Sequence, residues 1–376
     1  MTALKMIPLN DLKRVYSSNE QAVCDAVTAA IASGWWLNGT RTASFCKEFA
    51  AYVGVARCIG VANGTDALEI AFRALVETRQ PKGREVITVP NAGGYSAIAC
   101  RLAGLTPVYA DIEERSQLVS IESVRSALGE ETAVVVATHL YGGGVNVAEL
   151  RRVMDAAGYA HVPILEDCAQ AHGARLEGRM VGSLGDVATF SFYPTKNLGA
   201  FGDAGAIVTS QAKLADACDA LRQYGWAGKY TIGRPGGRNS RLDEVQAAIL
   251  SALLPGLDDA NACRVAILDK YEQAAPNGVA FVRSAEGAVA HLAVILCDDR
   301  EGLRAHLAGN GIATDVHYPV LDCDQPGWRD QPQKLAPGGV PVARASVGRL
   351  LTLPCFPGMT AEEIDRVCEA LASWRT

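Results

Sequence analysis

The sequence lacks several patterns that would assign the chain to a common class of protein. Its 11 cysteines form no CxxC pair and its six histidines form no HExxH motif, so we expect no metal site. No apolar run reaches 18 residues, and the first residues hold no long apolar core, so we expect neither a membrane partner nor secretion. An odd, dispersed set of cysteines is typical of reduced thiols, which favours a cytoplasmic location.

An excess of positive charge is also missing. The 376 residues include 35 Lys and Arg against 41 Asp and Glu, a net charge of −6, which argues against nucleic acid as the main partner. Hydrophobic residues make up 49% and charged residues 20%, as in ordinary globular enzymes. A chain of this length is expected to form about two domains.

Short apolar runs alternate with longer helical patterns, such as those at 66–78 and 149–157. The predicted strands are Glu85–Val89, Thr106–Ala110, Ala133–Thr138, Val162–Leu165, Ala188–Phe192 and Ala206–Thr209. This alternation predicts an α/β fold with a mostly parallel sheet covered by helices. In such folds, ligands bind beyond the carboxyl ends of the strands.

The pattern changes after Pro255. The elements predicted there are a long helix at 258–274, shorter strands within 288–296 and a terminal helix at 360–374. We therefore predict a large domain at 1–250, which includes the N-terminal segment, and a smaller C-terminal domain at 251–376.

The stretch SFYPTKNLGAFGDAG, residues 191–205, contains one lysine, Lys196, among glycines, aromatics and a proline. Its flanks, 189–193 and 206–209, have the composition of short buried strands. A lysine between buried strands is either a structural residue whose charge reaches water or a reactive amine with a lowered pKa. The segment alone leaves both interpretations open.

Two earlier segments complement this lysine. Asn63-Gly64-Thr65 opens a predicted helix, where backbone N–H groups suit a phosphate, although Asn and Thr are also ordinary helix caps. Asp167 ends a predicted apolar strand, where it could cap the next turn or hold a protonated pyridine nitrogen. A phosphate turn, a strand-end aspartate and an isolated lysine, in this order, together indicate pyridoxal 5′-phosphate (PLP), with the lysine attached as an imine.

Four segments carry a family resemblance. They are ANGTDALEIAFRAL, EDCAQAHGA, SFYPTKNLGAFGDAG and GGRNSRLDEVQAAIL. They closely resemble motifs of the DegT family of nucleotide-sugar aminotransferases and occur in the family's order, and the resemblance extends from about residue 31 to residue 318. It implies a PLP-dependent aminotransferase of fold type I, with a large mostly parallel α/β/α domain and a smaller C-terminal α+β domain.

The resemblance implies roles for single residues at the cofactor. Lys196 would carry PLP and then move a proton, Asp167 would pair with the pyridine nitrogen, and these two would be the catalytic residues. Gln170 would hydrogen-bond the phenolic oxygen. The residues implied to hold the phosphate are Gly64, Thr65 and Ser191.

Two further cofactor contacts are implied. The family commonly places an aromatic residue against the cofactor ring after the strand near residue 90, and Tyr95 is the candidate here. Asn239 resembles the residue that reaches the phosphate from a neighbouring subunit. We therefore expect a homodimer with shared active sites.

The substrate end is marked by positive charge. Residues 220–242 contain no Asp or Glu and five basic residues, Arg222, Lys229, Arg234, Arg238 and Arg241. Such a segment could attract a nucleotide diphosphate or form a solvated surface loop. We expect Lys229 and Arg238 to bind the substrate, and Arg241 to brace the loop that holds Asn239.

A second candidate for the sugar pocket is Val316-His317-Tyr318-Pro319, which resembles the family segment that lines it. We expect His317 and Tyr318 to contact the substrate, although His317 could equally be a structural imidazole. Trp35 and Trp36 could wall the same pocket, but tryptophans are more often packing residues.

These assignments predict an aminotransferase that moves an amino group from an amino acid, L-glutamate, to a nucleotide-linked keto-deoxysugar. The pattern RQYGWAGKY…GRNSRLDE most resembles members that aminate carbon 3 of a dTDP-linked sugar, and carbon 4 is the alternative. A dehydratase of the same fold replaces the lysine by histidine, so Lys196 argues against that activity. The intact pair of Asp167 and Lys196 argues against a regulatory protein that only binds PLP.

Overall fold

The computed structural model describes residues 5–284 and 287–375. Within these residues the helices are α1 Leu12–Ser17, α2 Glu20–Ala32, α3 Thr40–Val53, α4 Gly64–Arg79, α5 Tyr95–Leu102, α6 Ile121–Ala127, α7 Val147–Ala156, α8 Ala212–Leu221, α9 Glu244–Leu253, α10 Leu257–Ala274, α11 Arg300–Gly309, α12 Pro341–Val347 and α13 Ala361–Ser373. The strands are β1 Arg57–Val61, β2 Glu85–Thr88, β3 Thr106–Tyr109, β4 Thr132–Thr138, β5 Ile164–Asp167, β6 Arg175–Leu176, β7 Arg179–Met180, β8 Val187–Ser191, β9 Gly205–Thr209, β10 Trp226–Gly228, β11 Thr231–Ile232, β12 Val279–Phe281, β13 Ala293–Cys297, β14 Lys334–Leu335 and β15 Leu350–Leu353.

The main sheet has eight strands in the order β1-β9-β8-β5-β4-β2-β3-β14. Strand β9 runs antiparallel to its neighbours β1 and β8, and the remaining pairings are parallel. The predicted mostly parallel sheet is therefore confirmed, and all six predicted strands belong to it. Strand β1 was not predicted, because its sequence RCIGV begins with an exposed arginine and lacks a clear apolar run.

The centre of the main sheet is buried on both faces. Every residue of β4 is buried. Val134 and Val136 belong to one hydrophobic cluster, whereas Val135 and Ala137 belong to another on the opposite face. Because both faces are covered, the strand is apolar from residue 133 to residue 137 instead of alternating with polar residues.

A smaller antiparallel sheet, β12-β13-β15, lies in the C-terminal part of the chain. Residues Ile295 and Leu351 of this sheet pack in one cluster with Leu371 of α13 and with Ile7. Ile7 forms a bridge with Ile312, and β14 pairs with β3, so the N-terminal and C-terminal segments each contact the other part of the fold. The predicted division at residue 250 falls within α9 and stays a prediction.

The structure can be compared with the expectations from composition about thiols, a metal site and a membrane-spanning helix. All eleven cysteines have free thiols, as their dispersed positions predict. His139, Glu166 and Cys168 form a buried group that is compact enough for a metal ion. The Glu166 carboxylate, however, already accepts hydrogen bonds from His139 at 2.9 Å and from the backbone of Gly182 and Leu184, both at 2.8 Å. Among the helices of the described residues, none has the length and apolar composition needed to cross a bilayer.

Candidate active site

The site forms where parallel strands of the main sheet end. Asp167 ends β5 and Ser191 ends β8, which is hydrogen-bonded to β5. Ser191 pairs with Gly205 of β9, and Gly205 also pairs with Val61 at the end of β1. The turn after β1, which leads into α4, therefore lies beside the ends of β8 and β5.

A cavity of about 540 Å³ opens at this edge of the sheet. The predicted residues that line it are Gly64, Thr65, Tyr95, Asp167, Ser191, Lys196, His317 and Tyr318. The structure thus brings together side chains from the main sheet and from the C-terminal part of the chain. Leu9 and Asn10 of the N-terminal segment complete part of the wall.

The start of α4 is held close to Ser191. Asn63 caps this 16-residue helix, because its side-chain oxygen accepts a hydrogen bond from the N–H of Asp66 at 2.8 Å. A Cβ atom at Gly64 would lie 2.6 Å from the Cβ of Ser191, so a larger residue would push the two segments apart. The first turn of the helix therefore lies in the cavity wall with the side chain of Thr65, where its free backbone N–H groups are suited to an anion.

Asp167 is a buried carboxylate with few donors around it. One oxygen accepts a hydrogen bond from the backbone N–H of Ala169 at 3.1 Å and the other accepts one from the hydroxyl of Ser96 at 3.3 Å. Burial raises the pKa of Asp167, although these hydrogen bonds and the charge of Lys196 oppose the shift. A buried carboxylate with two modest neutral donors is suited to a cationic partner in the cavity.

Lys196 lies in the turn after β8, where its backbone N–H donates to the carbonyl of Tyr193 at 2.8 Å. Its side chain is half-buried in the cavity wall. Burial lowers the pKa of Lys196 to about 8, while the charge of Asp167 acts in the opposite direction. Since an unprotonated amine is the nucleophilic form, this environment favours the reactive interpretation of the lysine.

Gln170 does not line the cavity directly, but it orients a residue that does. Its side-chain oxygen accepts a hydrogen bond from the backbone N–H of Tyr141 at 2.8 Å, and its amide nitrogen donates to the hydroxyl of Tyr318 at 3.0 Å. The ring of Tyr318 meets that of Tyr95 edge-on at 6.3 Å. Tyr95 is 47% exposed, so its ring face is accessible to a ligand.

His317 is anchored at one side of its ring. Its Nδ1 lies 2.9 Å from the hydroxyl of Thr352, and its backbone carbonyl accepts a hydrogen bond from the hydroxyl of Tyr141. Burial lowers the pKa of His317, which favours the neutral imidazole. The contact to Thr352 fits a structural imidazole, and the position on the cavity wall allows a substrate contact, which stays a prediction.

Several basic residues of the segment 220–242 form ion pairs with carboxylates of the same chain. Arg238 pairs with Asp66 at 3.1 Å and also with Glu69, both on α4. Two further arginines have partners as well: Arg222 with Asp219 at 2.8 Å, and Arg234 with Glu77. Carboxylates from α4 and α8 therefore pair with three of the five basic residues, and the attraction of this segment for a nucleotide diphosphate stays a prediction.

Several predicted residues lie away from the cavity of their own chain. Lys229, Arg238 and Asn239 are absent from its wall, as are Trp35 and Trp36. Arg241 lies 6.0 Å from the ring centre of Tyr224. The roles of Lys229, Arg238 and Asn239 therefore stay predictions that depend on a neighbouring subunit.

The structure adds residues that the motifs did not reveal. Ser96 contacts Asp167, and His291 and Asn10 line the cavity. His291 precedes β13 in an apolar stretch, where a lone histidine gives no local signal. Its Nδ1 lies 2.8 Å from the side-chain oxygen of Asn197, the neighbour of Lys196, and only the folded chain reveals this contact.

Curated relatives match nearly the whole chain. The model of the DegT/DnrJ/EryC1/StrS aminotransferase family matches residues 17–372. The dTDP-3-amino-3,4,6-trideoxy-alpha-D-glucose transaminase of Micromonospora megalomicea subsp. nigra is 35% identical over 368 residues, which cover 95% of each chain. The erythromycin biosynthesis sensory transduction protein EryC1 of Saccharopolyspora erythraea is 37% identical over 369 residues, covering 97% of this chain and 98% of its own.

Solved structures agree with these relatives. DesV of S. venezuelae, in complex with a ketimine intermediate, has a TM-score of 0.91 and 36% identity, with 98% of each chain covered. NtdA from Bacillus subtilis, solved with bound cofactor PMP, has a TM-score of 0.88 and 27% identity, covering 98% of this chain and 85% of its own. The chain therefore belongs to the DegT/DnrJ/EryC1/StrS aminotransferase family, which confirms the family, the fold class and the aminotransferase activity predicted from its motifs.

Proposed function

We propose that this aminotransferase takes an amino group from L-glutamate and transfers it to carbon 3 of a dTDP-linked keto-deoxysugar, with PLP as its cofactor. One observation carries the proposal: the amine of Lys196 and the carboxylate of Asp167 face the same cavity. The reaction position is supported by the 35% identity to a named dTDP-3-amino-sugar transaminase across 95% of both chains.

The residues around the cavity fit PLP. The first turn of α4, with Gly64, Thr65 and the neighbouring Ser191, would hold the phosphate through N–H and hydroxyl donors. Asp167 would face the pyridine nitrogen, because a buried carboxylate of raised pKa gains most from a cationic partner. When bound, PLP supplies an electron-withdrawing ring that stabilises negative charge on the substrate carbon.

Lys196 would attach the cofactor and then serve as the proton carrier. Its pKa, lowered to about 8, means that far more of the amine is unprotonated near neutral pH than in an ordinary lysine, so its Nζ can accept a proton from the amino donor. Asp167 lies in the same wall and would hold the cofactor at a fixed depth. Tyr95, beside Tyr318, would limit movement of the cofactor ring and exclude water from one face.

His317 and Tyr318 would contact the sugar. Each has one polar group already bound inside the protein, His317 to Thr352 and Tyr318 to Gln170. Side chains fixed in this way lose little conformational entropy when a substrate binds. They are therefore suited to select among sugars by the position of a keto group or a hydroxyl group.

A substrate panel tests the proposal. The purified protein, supplied with PLP and L-glutamate, would be incubated with dTDP-linked 3-keto and 4-keto deoxysugars, and the aminated carbon would be located by NMR. Amination at carbon 3 is expected. Amination at carbon 4 would correct the ring position, and failure with every keto sugar, together with no conversion of L-glutamate to its keto acid, would contradict the function.

We further propose a homodimer in which Asn239 and the basic residues Lys229 and Arg238 serve the neighbouring subunit's site. Large apolar side chains are exposed in and after α2 and on the hairpin of β10 and β11: Ile31 56%, Trp35 65%, Trp36 60%, Tyr230 78% and Ile232 70%. Asn38, next to these tryptophans, donates to Gln223, which in turn forms a bridge with Asn239. Exposed apolar groups clustered around a predicted contact residue support an interface between two copies.

A cytoplasmic location is the matching prediction for a chain with eleven free thiols.

A further inference from the structure

His291 lines the active-site cavity but belongs to none of the family motifs that the sequence displays. It lies between β12 and β13 and is only 5% exposed. Its backbone N–H donates to the carbonyl of Tyr141 at 3.1 Å. Its backbone carbonyl faces the guanidinium of Arg264 at 3.5 Å. The backbone of His291 is therefore held in place by contacts that do not involve its ring.

A chain of hydrogen bonds leads from the protein interior to the ring. The Nδ2 of Asn261 donates to the backbone carbonyl of His172 at 2.8 Å. The Oδ1 of Asn261 lies 2.7 Å from the Nδ2 of Asn197. The Oδ1 of Asn197 lies 2.8 Å from the Nδ1 of His291.

The direction of every bond in this chain follows from its first acceptor. A backbone carbonyl can only accept, so Asn261 must present its NH₂ group to His172 and its oxygen to Asn197. Asn197 must then donate its NH₂ group to Asn261 and turn its oxygen toward His291. An amide oxygen can only accept, so the Nδ1 of His291 must carry the proton.

The packing around Asn261 leaves it little freedom to turn. Asn261 is 5% exposed on α10. A Cβ atom at Gly173, which has a φ of +89°, would lie 2.6 Å from the Asn261 amide nitrogen. Position 173 therefore needs glycine both for its backbone conformation and for the space that the amide occupies. This close fit keeps the first member of the chain in one orientation.

The second ring nitrogen of His291 has no partner within the part of the chain that the structure describes. This nitrogen, Nε2, is not fully enclosed by protein atoms. Because His291 lines the cavity, Nε2 is accessible from it. Burial lowers the pKa of His291 well below its usual value, and the charges of Lys196 and Arg264 and the rings of His172 and His317 lower it further. The ring therefore stays neutral near physiological pH.

We propose that His291 is a substrate-binding residue whose unprotonated Nε2 accepts a hydrogen bond from an N–H or O–H group of the substrate in the cavity. The identity of the donor rests on the proposed function: it is the ammonium group of the amino donor or a hydroxyl group of the keto sugar. Because the chain from His172 fixes the proton on Nδ1, Nε2 can only accept, and a substrate with an acceptor at this point is disfavoured.

The protonation state can be measured without any substrate. In long-range ¹H–¹⁵N spectra of the PLP-loaded protein labelled at histidine, the His291 signal is assigned by its loss in His291→Asn. We expect a pyrrole-type Nδ1 and a pyridine-type Nε2. A ring with its proton on Nε2, or on both nitrogens, would overturn the proposal whatever reaction the protein performs.

Two matched variants separate the roles of the nitrogens. In His291→Asn the amide nitrogen can still donate to Asn197, but nothing replaces Nε2. In His291→Gln the amide oxygen can reach the position of Nε2 and restore an acceptor. We expect kcat/KM to fall roughly fivefold in His291→Asn where a neutral hydroxyl group is the donor, and roughly tenfold or more where the ammonium group is, and to recover most of this loss in His291→Gln.

The two sources of the donor group give different patterns. A loss confined to the KM of L-glutamate identifies the ammonium group, and a loss confined to the KM of the keto sugar identifies a hydroxyl group. If no keto sugar reacts, the protein is titrated with L-glutamate, dTDP-glucose and dTDP, and the ¹⁵N signal of His291 Nε2 is followed. A ligand that donates a hydrogen bond to Nε2 is expected to shift this signal, which identifies the donor. Equal losses in both variants, or no shift with L-glutamate and dTDP-glucose, would leave His291 a purely structural residue and overturn the proposal.

Discussion

The side-chain amide of Gln170 donates a hydrogen bond to the hydroxyl of Tyr318 over 3.0 Å. The amide oxygen accepts from the backbone N–H of Tyr141 at 2.8 Å, so a flipped amide would set its NH₂ group against that N–H and lose this bond. Gln170 follows the end of β5, whereas Tyr318 belongs to the C-terminal part of the chain. This pair therefore joins the two sides of the cavity wall.

Tyr318→Phe is expected to destabilise the protein by about 1 kcal/mol, because the buried amide of Gln170 loses its acceptor. The measurement is urea denaturation of the PLP-free protein. Tyr95→Phe is the matched control, since Tyr95 is 47% exposed and its hydroxyl has no hydrogen-bond partner within residues 5–284 and 287–375. If both variants lose the same free energy of unfolding, the bond between Gln170 and Tyr318 does not stabilise the fold.

Reduction with borohydride is expected to fix PLP to the peptide that contains Lys196. This lysine lies in the cavity and has its pKa lowered to about 8, which makes it the amine best able to attack the cofactor. Peptide mass mapping before and after reduction locates the label, and Lys196→Ala should show none. Label on the exposed Lys229 instead would contradict the assignment.

The buried amine of Lys196 should also make stability depend on pH. Its pKa is lowered from 10.5 to about 8 in the folded protein. Between these values the unfolded chain binds the proton and the folded chain does not, so the free energy of unfolding should rise as the pH increases from 8 to 10.5. Below pH 8 the folded state has to hold a buried charge, and the full cost, up to roughly 3 kcal/mol, is present.

A comparison of PLP-free wild type with Lys196→Met separates the effect of the Lys196 amine on the free energy of unfolding from the effects of other titrating groups. Methionine keeps a similar volume without the charge, so the variant should be more stable at pH 7 and the difference should shrink toward pH 10. Urea denaturation at several pH values provides the free energies. A difference that is independent of pH would show that the amine is not destabilised by burial.

Asp167→Asn is expected to retain PLP and to lose transamination by about 100-fold or more, because an amide offers no negative charge to the cofactor. Ser96→Ala is the control, since it removes a hydrogen bond of 3.3 Å to Asp167 and keeps the carboxylate. Single-turnover rates with L-glutamate measure both variants. Near-normal rates in Asp167→Asn would mean that the carboxylate only caps the turn at Ala169.

Local sequence predicted the parts of this site that lie on consecutive elements. Asp167 ends one apolar strand and Lys196 follows another, and parallel strands end at one edge of the sheet, so the strand pattern predicted that the two residues lie near each other. The partners of Arg238 could not be predicted in this way, because Asp66 and Glu69 lie on α4, far away in the sequence. The position of His291 beside Asn197 likewise depends on how the C-terminal part packs on α10, which no short motif encodes.

The last prediction concerns the sharing of sites between two copies. Arg238 fixes its loop to α4 through Asp66 and Glu69, and the neighbouring Asn239 is exposed outside the cavity of its own chain. A residue held rigidly at the surface can complete a phosphate site only in another subunit. Asn239→Ala is therefore expected to weaken PLP retention by about tenfold or more, the effect of one hydrogen bond to a charged acceptor.

Subunit mixing tests this arrangement at PLP concentrations that leave Asn239→Ala largely unloaded. When it exchanges with Lys196→Ala, a mixed dimer has one site with both defects and one site with neither, so about a quarter of all sites should become active. Asp167→Asn mixed with Lys196→Ala is the control: both residues line the cavity of one chain, so every site keeps a defect and activity should not return. If mixing with Asn239→Ala also restores nothing, each site is built from a single chain, and Asn239 has no role across the interface.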